Sequence, residues 1–284
     1  MGHGRLVCLL VIALVAAISA PAWAAQNDLQ LYRLSYFDKN DNRFRPDQDS
    51  FDSLTTELGL ALSPKFLSPA ATLGSAGFEV GFETSLTTIN SGEPYWKNAV
   101  EGGTPPSILT TGQIHARKGL PQSFEVGATL TYLFLSQMFA VGTEVRWALL
   151  EGFYYAPDLA VRGAVNRTLA ARDLDLTTAG FGGAISKTFG IFGTSQITPY
   201  AGYDLAVVWA SSRVVNATPG DPRDDGPNTL GLPVDQFVFE QNVNTASRGF
   251  FGLRFKAAIA ALAYEMMIAP KGIYTNSFKL AVDF

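Results

Sequence analysis

Apolar and polar residues alternate with period two along most of the chain. In residues 124–134 the even positions are apolar and the odd positions are mostly polar or small. The same alternation recurs in residues 78–83, 139–149, 203–209 and 278–284. Because successive side chains of a β-strand point to opposite faces, each run predicts a strand with one apolar face.

Twelve strands fit this pattern, and no break in composition divides them into two domains. Each strand with its connection then takes about 22 residues, which suits membrane-barrel strands of about 9–11 residues plus turns. The predicted fold is therefore all-β, a transmembrane antiparallel up-and-down barrel of about twelve strands over residues 25–284. The strands are expected near residues 28–36, 52–62, 75–89, 107–117, 123–134, 138–150, 158–168, 173–189, 196–212, 243–256, 258–268 and 273–284.

Residues 1–24 have the features of a signal peptide. Arg5 supplies a positive charge, residues 6–18 form a short apolar stretch, and Ala22-Trp23-Ala24 fits the small-x-small cleavage rule. An uncleaved anchor helix, the alternative, needs about 20 apolar residues. Since the single cysteine, Cys8, lies in this leader, the mature chain is expected to contain none.

Composition decides between a barrel with a dry core and one that faces lipid. Only 16% of the residues are charged, and the polar strand face is rich in Gly, Ala, Ser and Thr. A soluble barrel or sandwich, the alternative, places dense charge on its outer face. Strands in lipid cannot leave an edge unpaired, so they close with their polar side chains inside. The net charge of −4 argues against a nucleic-acid partner.

Connection lengths predict how the barrel lies in the membrane. If the N-terminus is periplasmic, the longest connections, including residues 213–242, fall outside the cell. Single-chain bacterial barrels have short periplasmic turns and longer extracellular loops. The predicted location is therefore the outer membrane of a Gram-negative bacterium, with lipid as a partner.

The C-terminal residues 277–284 resemble the last strand of bacterial outer-membrane β-barrel proteins. The resemblance lies in the alternating Phe278, Leu280 and Val282 and in the final Phe284. It implies insertion by the barrel-assembly machinery, for which these four residues form the candidate assembly signal. The resemblance identifies the superfamily without selecting porins, fatty-acid channels or nucleoside channels.

The mature chain contains few residues suited to catalysis. Its one histidine is His115, and the G-x-S-x-G motif of acyl-transfer enzymes is absent. Barrel hydrolases use a His as general base, so we expect no enzyme here and interpret His115 as a polar lumen residue. No metal site and no cofactor are predicted.

Charged residues on the polar strand faces are expected to line the lumen. They support two interpretations: an ion-pair ladder between neighbouring strands, or a selectivity lining for a small polar solute. The first hypothesis of function is a narrow, porin-like passive channel for transport of that solute. The alternative is a non-conducting structural or surface-interaction barrel whose outer loops bind a partner. The candidate lining residues are Glu79, Glu83, Glu125, Glu144, Arg146, Arg162, Asp204, Arg248, Arg254 and Glu265.

Overall fold

Ten antiparallel strands close into a barrel in the computed structural model, which describes residues 29–40, 43–134, 136, 138–169, 173–191, 193–219 and 236–284. Each barrel strand pairs with the next along the chain, and the last pairs with the first. The predicted signal peptide, residues 1–24, lies outside the described residues. The barrel strands are β3 (Phe78–Thr88), β4 (Ile108–Leu120), β5 (Phe124–Leu133), β6 (Met138–Leu150), β7 (Asp158–Leu169), β8 (Leu174–Ser186), β10 (Ser195–Ser212), β13 (Asn242–Ala257), β14 (Ala260–Ala269) and β15 (Ile273–Asp283).

The predicted fold class is confirmed. Each of the ten barrel strands coincides within a few residues with a predicted strand, and β6 has the predicted bounds. The closed ring therefore differs by two from the count of about twelve. A short additional strand, β9 (Phe189–Ile191), pairs with β10 beyond the end of β8.

The first two predicted strands are wrong as barrel strands. Residues 52–62 belong to a helix, α1 (Gln48–Leu62), and residues 31–33 form a 3-10 turn. Asp47 caps α1, since its side chain accepts a hydrogen bond from the backbone N–H of Ser50 at 3.2 Å. Leu58, Leu60 and Leu62 alternate as in a strand, but Leu58 and Leu62 lie on one face of the helix and Leu60 on another, and all three are buried.

Several small elements lie outside the ring. A hairpin of β1 (Ser35–Asp38) and β2 (Arg43–Pro46) precedes α1, and a two-residue pair joins β11 (Val215–Asn216) to β12 (Gln236–Phe237). The short helix α2 (Pro94–Ala99) lies between β3 and β4. None of the helices in the described parts of the chain is long and apolar enough to cross a membrane.

The two ends of the barrel differ in their connections. At one end, here called the loop end, lie the connection 89–107 and residues 213–219 and 236–241, the described parts of the connection between β10 and β13. At the other, the turn end, lie shorter connections such as Pro121–Ser123 and residues 258–259, together with Phe284. The described N-terminal residues lie at the loop end, because Gln30 donates its backbone N–H to Ala99 at 2.7 Å. The sequence placed the start of the mature chain on the side opposite the longest connections. For the described N-terminal residues this expectation is wrong, because they lie on the same side as those connections.

The outer face of the barrel is apolar. Side chains such as Phe82, Val145, Trp147, Phe181 and Leu280 are more than two-fifths exposed. An aqueous surface of this composition is unfavourable, whereas lipid accommodates it.

Candidate functional site

The lumen contains residues 48–73, which we call the plug. At the loop end, Gln48 exchanges hydrogen bonds with the backbone of Glu240, at 3.0 Å and 3.2 Å. At the turn end, the Glu125 carboxylate accepts the backbone N–H of Leu73 at 3.2 Å. The plug therefore runs the length of the barrel, as helix α1 in the loop half and as an extended segment in the turn half.

Helix α1 lies close to the barrel wall. A Cβ added to Gly59 would come within 2.4 Å of the Val208 side chain on β10. A glycine inside a helix costs about 0.5–1 kcal/mol relative to alanine. Here it permits the close approach, which explains why the helix tolerates it.

Three arginines of the wall bind backbone carbonyls of the plug. Arg248 donates to Pro64 at 3.0 Å, Arg146 donates to Pro69 at 2.7 Å, and Arg162 donates to Lys65. Guanidinium groups suit this task because they offer several donors in a fixed plane. The extended half of the plug has no strand partner, so these bonds satisfy carbonyls that would otherwise be buried alone.

Acidic and polar side chains of the wall bind the plug's remaining backbone groups. Glu265 accepts the N–H of Leu67 at 2.7 Å, where the Leu67 backbone has a left-handed φ of 42°. Ser186 accepts the N–H of Ala70 at 3.0 Å. Wall and plug thus hold each other through both donors and acceptors.

Phe66 lies at the centre of the extended half of the plug. Its ring stacks on Phe250 of β13 with centroids 4.7 Å apart. The guanidinium carbons of Arg162 and Arg146 lie 4.3 Å and 5.2 Å from its centroid. Such contacts combine apolar burial with cation–π attraction, so Phe66 fixes the plug at mid-barrel.

The remaining wall charges pair with one another. Glu79 meets Arg117 and Lys279 at 2.6 Å each, and Arg254 at 3.2 Å. All candidate lining residues face the lumen in buried positions except Arg254, whose side chain is 17% exposed. Further ion pairs between a candidate lining residue and another charged side chain of the wall are Arg162–Glu144, Arg248–Asp204, Arg117–Glu125, Lys279–Glu83 and Arg254–Asp283.

His115 lies between two carboxylates. Its Nδ1 is 2.8 Å from Glu83 and its Nε2 is 3.2 Å from Glu144. Within the described part of the chain, its recorded polar partners are these carboxylates and no hydroxyl group. A serine-type nucleophile paired with this histidine is therefore not formed there, and the expectation that the chain is no enzyme stays a prediction.

The plug helix is fastened to the connection 89–107 through one carboxylate. Glu57 of α1 accepts hydrogen bonds from Trp96 Nε1 at 2.7 Å, from the Tyr95 hydroxyl at 2.8 Å and from Asn90 at 2.5 Å and 3.0 Å. Burial and the hydrogen bond to Glu57 raise the pKa of the Tyr95 hydroxyl above its usual value. Glu57 thus holds the plug helix against the connection 89–107 at the loop end.

An apolar cluster joins the loop-end half of the plug to the residues around it. Phe51 of α1 stacks on Phe239 with ring centroids 4.3 Å apart. Leu31, Trp96 and Leu133 are buried in the same cluster, which joins the N-terminal residues to the barrel rim. The described residues 29–40, 43–47, 89–107, 213–219 and 236–241 at the loop end, which we call the platform, are therefore a folded surface.

The candidate assembly residues lie on the outer face of β15. Phe278, Leu280, Val282 and Phe284 are 38–68% exposed. Phe284 and Phe78 exchange backbone hydrogen bonds at 2.8 Å and 3.0 Å, which completes the pairing of the last strand with the first. Recognition of these residues during assembly stays a prediction.

No protein-family model and no curated protein matches the chain. Among solved structures, the chain is similar to Ail, the attachment invasion locus protein of Yersinia pestis, with 8% identity, 73% of this chain and 97% of Ail covered, and a TM-score of 0.27. The KdgM porin gives 4% identity, coverage of 72% and 98%, and a TM-score of 0.32. The transport unit of the autotransporter AIDA-I from Escherichia coli gives 12% identity, coverage of 84% and 99%, and a TM-score of 0.34.

The architecture itself gives the class of protein. An even number of antiparallel strands closes without an edge, the outer face is apolar and the polar groups are inside. The chain is therefore a membrane β-barrel by its fold, and its location in a bacterial outer membrane stays a prediction.

Proposed function

We propose that this protein is a non-conducting surface-interaction barrel, whose lumen is closed by its own plug and whose platform binds a partner outside the cell. The observation that carries the proposal is the occupation of the lumen by residues 48–73 along its whole length. A solute would have to displace a segment that wall arginines, carboxylates and Phe66 hold at successive depths.

The charges of the wall support the same proposal. A selectivity lining acts through charges that face water and a passing ion. Here Arg146, Arg162 and Arg248 are directed at plug carbonyls, and the carboxylates are engaged by neighbouring cations or plug N–H groups. These residues therefore serve better as plug ligands than as a lining for a porin-like channel.

The shape of the loop end favours a binding role over a purely structural one. Long connections of bacterial barrels are extracellular and short ones periplasmic, so the platform faces out of the cell. Tyr36 and Phe37 of the hairpin are 55% and 46% exposed there. A folded surface with exposed aromatic groups suits recognition better than a set of flexible loops does.

Planar-bilayer recording of the purified full-length protein tests the closed lumen. We expect no steady conductance from the unmodified protein. The doubly substituted Arg146→Ala, Arg162→Ala protein should open intermittently, because it lacks two plug ligands and both cations near Phe66. Arg213→Ala, an exposed loop-end arginine, serves as the matched control and should stay closed. Steady, ohmic conductance from the unmodified protein would overturn the proposal in favour of the passive channel.

A further inference from the structure

A polar cleft lies in the platform between the N-terminal residues and the connection 89–107. Its volume is about 450 Å³, within the range of small-molecule pockets. Arg33, Lys97, Asn98, Gly102 and Gly103 line it. Nothing in the plug or the barrel wall uses these residues.

Among the described residues that line the cleft, two are positively charged and none is acidic. Within the described residues, neither Arg33 nor Lys97 makes an ion pair, whereas the loop-end Arg213 pairs with Asp175 at 3.4 Å. Glu101 is the nearest acidic residue in sequence, and it does not line the cleft. Two unpaired cations around one cavity attract an anion.

Both sides of the cleft are held in place by the fold. Residue 29 forms a β-bridge with Val100, and the Arg33 guanidinium donates to the Val100 carbonyl at 3.4 Å. On the other side, Trp96 anchors α2 to Glu57 at 2.7 Å. The cleft is therefore preformed, and a ligand does not bear the cost of ordering its walls.

The backbone leaves room for a ligand at the cleft's edge. Gly102 and Gly103 have left-handed φ values of 79° and 68°, which residues other than glycine rarely adopt. A Cβ added to Gly102 would meet no atom within 4 Å. A ligand can thus approach the main chain directly, beside the Asn98 amide.

We propose that this cleft binds the phosphate monoester of a sugar. A phosphate monoester carries about −1.5 to −2 charges at neutral pH, which matches two cations better than the single charge of a carboxylate or a sulfate ester does. Arginine's planar fork suits two phosphate oxygens, lysine adds a point charge, and the remaining volume accommodates a sugar ring beside Asn98. The inference deepens the proposed function, on which it rests for the outward position of the platform.

Isothermal calorimetry of the full-length protein in detergent micelles, with glucose 6-phosphate as the probe, tests the cleft. We expect saturable binding that Arg33→Gln and Lys97→Gln each weaken by about tenfold, or about 1.4 kcal/mol. Glucuronate should bind at least about tenfold more weakly than glucose 6-phosphate. Lys271→Gln removes an exposed loop-end lysine outside the cleft and should leave binding unchanged.

A second arm identifies the source of the phosphate. The same titration is repeated with the protein in nanodiscs containing either phosphorylated or dephosphorylated glycolipid. Weaker glucose 6-phosphate binding with the phosphorylated lipid assigns the cleft to a lipid headgroup, and equal binding assigns it to a soluble sugar phosphate. Absence of saturable binding, or equal loss in Lys271→Gln, overturns the inference. Since bilayer conductance does not depend on the cleft, that result leaves the closed lumen intact.

Discussion

At the scale of single residues, the central feature is the use of wall charges as ligands of a main chain. Arg162 of β7 donates to the Lys65 carbonyl, meets Glu144 at 3.2 Å and lies against the Phe66 ring. Its side chain is fully buried. Removing one partner of a buried ion pair leaves an uncompensated charge, whereas an exposed pair contributes little.

Arg162→Ala should therefore destabilise the folded barrel by about 3–5 kcal/mol. Arg213→Ala, at an exposed arginine paired with Asp175, should change the free energy of unfolding by less than about 1 kcal/mol. Urea unfolding in detergent micelles, followed by tryptophan fluorescence and the heat-modifiable gel band, gives both values. Equal effects of the two substitutions would contradict the role of Arg162 as a buried plug ligand.

The sequence predicted the inward direction of these residues but not their partners. Period two determines the side of a strand on which a residue lies, so Glu144 and Arg146 had to share a face. That Arg146 binds the carbonyl of Pro69 depends on a segment more than seventy residues away in the chain. No local pattern contains that information.

At the scale of elements, α1 shows where periodicity is ambiguous. Phe51, Leu54, Leu58 and Leu62 follow helical spacing, and Asp47 is a suitable N-cap. The helix is surrounded by the barrel, so Leu60 on another face is buried as well. A helix that is apolar on several sides lacks the polar face that normally distinguishes it from a buried strand.

Glu57→Gln should loosen the connection 89–107 without unfolding the barrel. The carboxylate accepts from three side chains, whereas an amide presents its own N–H₂ group to one of those donors. Each hydrogen bond to a charged group contributes about 1.5–3 kcal/mol, so the loss of one such bond should measurably weaken the attachment of the connection 89–107 to α1. Limited proteolysis of the folded protein should cleave this connection several-fold faster. Glu93→Gln changes an exposed carboxylate of the same connection and should leave the cleavage rate unaltered; faster cleavage in both variants would argue against a specific role of Glu57.

At the scale of the whole molecule, most of the fold could be predicted from the sequence because the barrel strands face lipid on one side. Each barrel strand must present apolar side chains outward and polar or small ones inward, and this repeated requirement produced ten recognisable strands. The plug faces protein on all sides, so no solvent imposes such a period on it. The path of the chain through the lumen was consequently beyond sequence reasoning.

That path leads to a prediction about sidedness. Because residues 48–73 run from the loop end to the turn end, the residues before α1 should be outside the cell, on the same side as the long connections. Tyr36→Cys, in the exposed hairpin, should react with a membrane-impermeant maleimide on intact cells. Gln122→Cys, in an exposed turn at the opposite end, should react only after the outer membrane is permeabilised.

The predicted loss of Cys8 with the signal peptide removes background labelling from this comparison. The folded barrel band serves as the control that both variants assemble. Labelling of Gln122→Cys alone on intact cells would mean that the barrel is inverted. Protection of both sites until permeabilisation would mean that the platform is enclosed by other material, and the proposed external partner would then have no access to it. Labelling of Tyr36→Cys alone requires that the chain pass through its own barrel before the first strand begins, because no other route joins an external Tyr36 to the turn end of β3.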